Sequence, residues 1–169
     1  MRLVKLALIS LVFFFLLLTA ISLLLPSVTH ISRAIDINAP ADTVYNYINN
    51  LAKWKCWYAD YDSSTASVSA ATAGKSAMLI INKTAVTIKK SSPLQIKAVW
   101  QTGKSDPLHG EFNFITNNAV SQVTVQWHFT QKVKWYPWQK FASIASNKII
   151  GPFMEKSLEN LKREAEKRR

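Results

Sequence analysis

Cysteine is almost missing from this chain. Its 169 residues include one, Cys56, so no disulfide can close within it. That leaves the redox compartment open. Cys56 has no histidine near it in sequence and reads as a small buried or half-buried side chain. Glycines number only four, and none forms a phosphate-cradling loop or a nucleophile elbow. The three histidines show no metal-ligand spacing with Cys or Asp, so neither a metal nor a cofactor is expected. Acidic residues are short as well, 10 against 21 basic ones, for a net charge of +11. Such a balance favours a membrane surface or nucleic acid as partner. The lysines (Lys75, Lys83, Lys97, Lys104, Lys132, Lys148) are scattered and no nucleic-acid motif is present. A membrane is therefore expected as a partner, and nucleic acid is not. Internal repeats and low-complexity linkers are also missing.

What the chain does have is a long apolar start. Leu6 to Leu25 is 20 residues without a charge. At about 1.5 Å per residue this spans the roughly 30 Å hydrocarbon layer of a bilayer. A cleaved signal peptide has a shorter apolar stretch, about 7–15 residues, before a small-x-small site. Ala20-Ile21-Ser22 fits such a site loosely, but Leu23, Leu24 and Leu25 follow it, so an uncleaved single-pass anchor is expected. Arg2 and Lys5 precede the run, and Arg33 is the one basic residue close after it. The positive-inside rule then puts the amino end in the cytoplasm and the domain on the extracytoplasmic side. Residues 1–29 read as anchor and connector. Residues 30–169, about 140 of them, suffice for one domain with a core.

Short strands dominate the middle. His30 to Asn38 alternates Ile31, Arg33, Ile35 and Ile37 against polar neighbours, frayed at Arg33. Pro40 then suits a helix start, and Val44, Tyr47, Ile48 and Leu51 mark a helical face. Asn49-Asn50 breaks it before a short helical turn carrying Leu51 and Trp54. Strands are expected at Thr65–Ala71 (weak, an exposed edge), Ala77–Ile81, Ala85–Lys90, Gln95–Gln101, Leu108–Ile115 and Ser121–Thr130. The last is the clearest, with Val123, Val125, Trp127 and Phe129 on one face. Asn117-Asn118 is a hairpin signal. Consecutive strands joined by short turns imply an antiparallel meander.

A long helix closes the chain, roughly Trp138 to Lys167. Ile150, Met154, Leu158, Leu161 and Ala165 make one apolar face. Phe141, Ile144, Ala145 and Ile149 make a second one that points elsewhere. Gly151-Pro152 lies between the halves and is expected to kink or restart the helix.

Arg33-Ala-Ile-Asp-Ile-Asn-Ala-Pro40, then Val44, Tyr47-Ile48, Leu51, Trp54 and Trp57, resembles the opening of START-like (SRPBCC, helix-grip) domains. The subgroup it is most similar to is the bacterial polyketide cyclase/dehydratase-like one. Ile150-Gly151-Pro152-Phe153 through Leu158-Glu159-Asn160-Leu161-Lys162 is similar to that subgroup's last helix. The resemblance covers about residues 30 to 167. It departs from the subgroup where Tyr58-Ala59 replaces Ser-Pro after the second tryptophan. It departs again where a glycine-rich region shrinks to Gly74. The resemblance implies an α+β helix-grip: a curved antiparallel sheet of six or seven strands wrapped around the C-terminal helix, here behind one transmembrane helix. It also implies a cavity between sheet and helix, roofed by the short helices.

Trp54, Trp57, Tyr58, Trp100, Phe112, Phe114, Trp127, Phe129, Phe153 and Met154 are the candidates for lining that cavity. Any one of them is explained as well by core filling. Taken together in a fold with a cavity, they suit the wall of an apolar ligand site. Polar candidates are few. Asp60 and Asp62 could sit at the mouth as a carboxylate pair or simply be solvated. Tyr47 and Tyr58 are the other groups able to handle a proton. Glu111, His109 and His128 should point outward by alternation, and His30 lies beside the connector. Trp135, Tyr136 and Trp138 among Lys132, Lys134 and Lys140 suit either a membrane interface or a solvated loop. The expectation is a monomeric, membrane-anchored domain binding a lipid or another hydrophobic small molecule. No catalytic residue is assigned. A cyclase/dehydratase-like enzyme and a cavity-free interaction domain are the alternatives.

Overall fold

The computed structural model describes residues 2–117 and 122–167. Helix α1 (Arg2–Leu24) leads into strand β1 (Val28–Ile37). Helix α2 (Ala41–Asn49) and a 3-10 turn (Leu51–Cys56) follow. Six strands come next: β2 (Ser67–Val68), β3 (Met78–Ile81), β4 (Thr84–Ser92), β5 (Gln95–Thr102), β6 (Leu108–Asn117) and β7 (Gln122–Lys132). Helix α3 (Pro137–Glu166) closes the chain. The sheet is antiparallel throughout, in the order β1-β7-β6-β5-β4-β3-β2. This is the expected α+β architecture, a curved seven-stranded sheet against one long helix.

Alternation builds the sheet's inner face as the sequence suggests. Val123, Val125, Trp127 and Phe129 of β7 are buried, as are Gly110, Phe112 and Phe114 of β6 and Ile96, Ala98 and Trp100 of β5. The two-residue turn Asn82-Lys83 joins β3 to β4 with both residues at positive φ, 47° and 68°, the geometry that matches strand twist in a tight hairpin. A bulge between Ile88 and Lys90 shifts the β4–β5 register and adds local bend. The expected Thr65–Ala71 strand shrinks to Ser67–Val68. Flanking groups find other partners there: Ser69 Oγ donates to the Ala71 carbonyl and accepts from Met78 N, and Thr65 Oγ1 donates to Asn82. Asn118 of the expected hairpin signal lies outside the described residues.

Helix α3 continues through Pro152, so the restart that was one of the two expectations there does not occur. Its apolar stripe changes face at this point instead. In the second half Met154, Leu158, Leu161 and Ala165 are buried and the helix touches β1, α2 and the 3-10 turn. Arg33, which looked like fraying in β1, reaches across to Glu155 and Asn147 of α3. Its guanidinium lies where a Cβ on Gly151 would sit, so the glycine makes room for this tie. Residues of α1 are exposed almost all round, and α1 alone among the described helices is long and apolar enough to cross a membrane. The side chain of Ile144 lies outside the described residues.

Candidate ligand cleft

The 3-10 turn aims two indoles inward. Asn50 opens it, its Oδ1 accepting from Ala52 N at 3.0 Å. Trp54 Nε1 donates to the Ile48 carbonyl at 2.8 Å and Trp57 Nε1 to the Tyr47 carbonyl at 3.1 Å. Both acceptors lie near the end of α2, where helix carbonyls lack intrahelical donors. With their N–H groups satisfied, both rings can be fully buried, and they are. The next segment is fixed to α3: Ala59 N donates to Ser157 Oγ at 3.1 Å and Asn160 Nδ2 to the Trp57 carbonyl at 3.3 Å. Tyr58 is thereby held between sheet and helix.

Eight of the ten candidate residues form one network of ring contacts: Trp54, Trp57, Tyr58, Trp100, Phe112, Trp127, Phe129 and Phe153. Trp54 stacks on Tyr58 with centroids 5.0 Å apart, and Phe112 on Trp127 at 4.8 Å. Phe114 packs instead on Tyr45. Met154 is buried on the core face of α3. The rings of Trp54, Trp57, Phe112 and Trp127 are fully buried in the layer between sheet and helix.

Open volume survives at one end of this ring layer. A cleft of about 360 Å³ has Tyr58, Trp100, Phe129 and Phe153 as its floor. Leu108 and Ile150 form its sides, and Asp60, Thr84, Thr102, Ser105, Asp106 and Gln131 its rim. Four of the ten candidates thus meet at the cleft, and the other six do not line it. Leu108 and Ile150 were not singled out as lining residues. Ile150 belonged to the stripe read as core, and nothing local distinguishes a core position from a cleft wall. A second groove of about 330 Å³ shares Ser105, Asp106 and Gln131 and adds Lys104, Lys132 and Lys134.

Polar chemistry in the cleft is sparse. Trp100 Nε1 donates to Tyr58 Oη at 3.0 Å. Burial pushes the Tyr58 phenol well above the usual tyrosine range, against the opposing pull of the Trp100 hydrogen bond and with a small push from Asp60. The group is a neutral donor at physiological pH. Trp127 Nε1 is buried with no acceptor, the one such side-chain atom among the described residues. Asp60 and Asp62 do not pair. Asp62 Oδ1 accepts from Ser64 N and Oγ at 2.9 and 2.7 Å, and these bonds hold its carboxyl below the ordinary value. Tyr47 Oη contacts the Glu164 carbonyl and does not line the cleft. Glu111 meets Lys97 and His128 on the outer face, His109 is exposed, and His30 bonds Thr130. Cys56 is exposed, a correction to the buried or half-buried position expected of it. The 3-10 turn places Trp54 and Trp57 inward, which turns the two residues between them, Lys55 and Cys56, toward solvent. No cluster of three or more metal-capable side chains occurs among the described residues.

Tyr58 makes an alkaline phase measurable. Its folded-state pKa lies above the unfolded value of about 10. The folded state therefore keeps a proton that the unfolded state gives up. The stabilisation is complete below pH 10 and fades as pH rises beyond it. Spectrophotometric titration of the five tyrosines should show one that ionises only with alkaline unfolding. Tyr58→Phe should remove that component, and its persistence would assign it elsewhere.

The sheet, the gripping helix and the aromatic cleft define a START-like domain. The family model described as "Polyketide cyclase / dehydrase and lipid transport" matches residues 28–166, and the chain belongs to that family. No curated protein matches it. Among solved structures, a protein from Nitrosospira multiformis aligns with a TM-score of 0.64 at 14% identity, over 83% of this chain and 100% of that one. The di-domain ARO/CYC BexL of the BE-7585A biosynthetic pathway aligns with a TM-score of 0.64 at 14% identity, over 83% of this chain and 50% of BexL. A START superfamily protein from Mycobacterium smegmatis gives 0.58 at 13%, over 83% and 99%. At these identities the likeness establishes the fold.

Proposed function

We propose that this chain is a membrane-anchored domain that holds a lipid or another hydrophobic small molecule in the cleft between sheet and α3. Residues 1–29 serve as anchor and connector, with the amino end in the cytoplasm and the domain outside. One observation carries the ligand reading: the cleft's floor is four aromatic rings, with a single neutral phenol among them. Such a surface suits an apolar body with a hydrogen-bond acceptor. The adjoining groove, with Lys104 and Lys132, offers room for a polar head. The Trp127 ring, whose buried N–H has no acceptor, packs against Phe129 and Phe153 of the cleft floor. An unmet buried donor costs about 1–3 kcal/mol, which an acceptor atom on a deeply seated ligand would offset.

Ile150 is the side chain to change, because it borders the cleft and is only half-buried. In Ile150→Trp the indole should fill the opening. Uptake of a fluorescent fatty acid by the full chain in nanodiscs should weaken on the order of tenfold, equivalent to about 1.4 kcal/mol. Organic extraction and mass spectrometry of the purified wild type should recover an apolar molecule. An empty extract together with no uptake would overturn the ligand reading.

A second reading, a cyclase- or dehydratase-like enzyme, rests on Tyr58, whose phenol could polarise a substrate carbonyl. It requires turnover that Tyr58→Phe abolishes while uptake persists.

A further inference from the structure

The first half of α3 carries an apolar face that the domain does not cover. Trp138, Phe141, Ala145 and Ile149 recur at steps of three, four and four, and all are exposed, Ile149 to 72% and Trp138 to 62%. The core stripe of the second half is centred on Met154 and Leu158. At about 100° per residue the two stripes lie roughly 180° apart on one helix. A helix that reverses its apolar face meets a different medium along each half.

The exposed stripe starts at an aromatic cluster. Tyr136 and Trp138 are stacked with centroids 4.9 Å apart and planes within 7°, and Trp135 lies 4.8 Å from Tyr136. Exposed Lys132 and Lys134 lie just before them in the chain, Lys134 paired with Asp106 at 3.2 Å, and exposed Lys148 lies farther along α3. Lys140 is the exception, buried at 3% exposure. Its ammonium donates to the Leu25 carbonyl at 2.8 Å and to Ser27 Oγ at 2.9 Å. A buried ammonium satisfied by the chain just past α1 fixes the start of α3 beside the end of the apolar helix. The two helices also touch there.

We infer that Lys132–Ile149 is a lipid-docking face, seated in the headgroup layer of the bilayer that α1 crosses. The inference rests on reading α1 as an anchor. Tryptophan and tyrosine prefer that layer because one edge of each ring is polar and the body is not. An amphipathic helix lies in the same zone with its apolar stripe toward the acyl chains. Lysines are drawn to an anionic surface, and the chain's +11 charge points the same way. A second consequence is directional. Lys132, Lys134, Ala142 and Ser143 line the groove that runs into the aromatic cleft. Docking on this face brings the cleft's approach to the membrane, so a lipid could enter without crossing water.

The six tryptophans make the test selective. Trp54, Trp57, Trp100 and Trp127 are buried, whereas Trp135 and Trp138 are exposed. The full chain is reconstituted into phosphatidylcholine/phosphatidylglycerol vesicles carrying brominated acyl chains. Part of the tryptophan emission should be quenched, and the double variant Trp135→Phe/Trp138→Phe should lose that quenched part. A spin label on Ile149→Cys, in a Cys56→Ser background, should be more accessible to oxygen than to a soluble nickel complex. Vesicle co-flotation without quenching, or quenching unchanged in the double variant, would overturn the docking face and leave the anchor standing. Failure to co-float would overturn both. Close dipolar coupling between labels on two chains would overturn the inference in favour of a second copy on this face.

Discussion

Trp54→Ala is expected to cost the domain a large share of its stability. The ring is fully buried, touches Trp57, Tyr58, Trp100 and Phe112, and donates to the Ile48 carbonyl at 2.8 Å. Removing a buried tryptophan typically costs about 3–5 kcal/mol, since neighbours collapse only partly into the void. The stranded Ile48 carbonyl adds on the order of 1 kcal/mol. Whole domains are stable by about 5–15 kcal/mol, so the loss takes a large share. Trp54→Phe should cost less, because a six-membered ring refills most of the volume while the hydrogen bond alone is lost. Denaturant titration of the detergent-solubilised chain, followed by near-ultraviolet circular dichroism, separates the two variants. A loss for Trp54→Ala below about 1 kcal/mol would place the ring outside the core and contradict the typical cost of such a truncation.

Gly110→Ala is the second large effect, and it acts through the cleft floor. Gly110 faces inward from β6 between Trp100 and Phe129. A Cβ there would overlap the Trp100 ring and come within 2.8 Å of Phe129 Cε1. Neither neighbour is the free end of a flexible side chain. Overfilling a packed site costs about 1–3 kcal/mol. Relief would come from swinging Trp100 outward, which breaks its hydrogen bond to Tyr58 and pushes the ring into the cleft. The variant should therefore lose both stability and fluorescent fatty-acid uptake. Trp100→Leu in the same chain removes the Trp100 ring atoms, the tightest of the clashes, and leaves the contact with Phe129. The double variant should recover stability relative to Gly110→Ala, an interaction energy read from a double-mutant cycle. Strict additivity would show that the two residues do not press on each other.

These two positions differ in how far they could be read from the chain. Trp54 follows a helical face with a break at Asn49-Asn50, and a large aromatic at that spacing reads as interior. Gly110 falls on the inner face by alternation, yet its need for empty space comes from Trp100, ten residues away on the neighbouring strand. The same limit governs the cleft. Tyr58, Trp100, Phe129 and Phe153 were among ten plausible lining residues, but no local feature distinguishes these four from Trp57 or Trp127. Cys56 went the other way, because its exposure follows from the orientation of the two indoles beside it.

By itself, the order of residues determined what depends on spacing along one segment. An uncharged run long enough for a bilayer, strands that alternate with period two, and a terminal helix with two apolar faces all follow from backbone periodicity and solvent preference. Only the folded arrangement decided which aromatic rings fill the interior and which are left beside open space. It alone placed the uncovered half of α3 next to the end of α1. Both are outcomes of packing between elements far apart in the chain, where volume and contact are shared among many side chains and belong to no single segment.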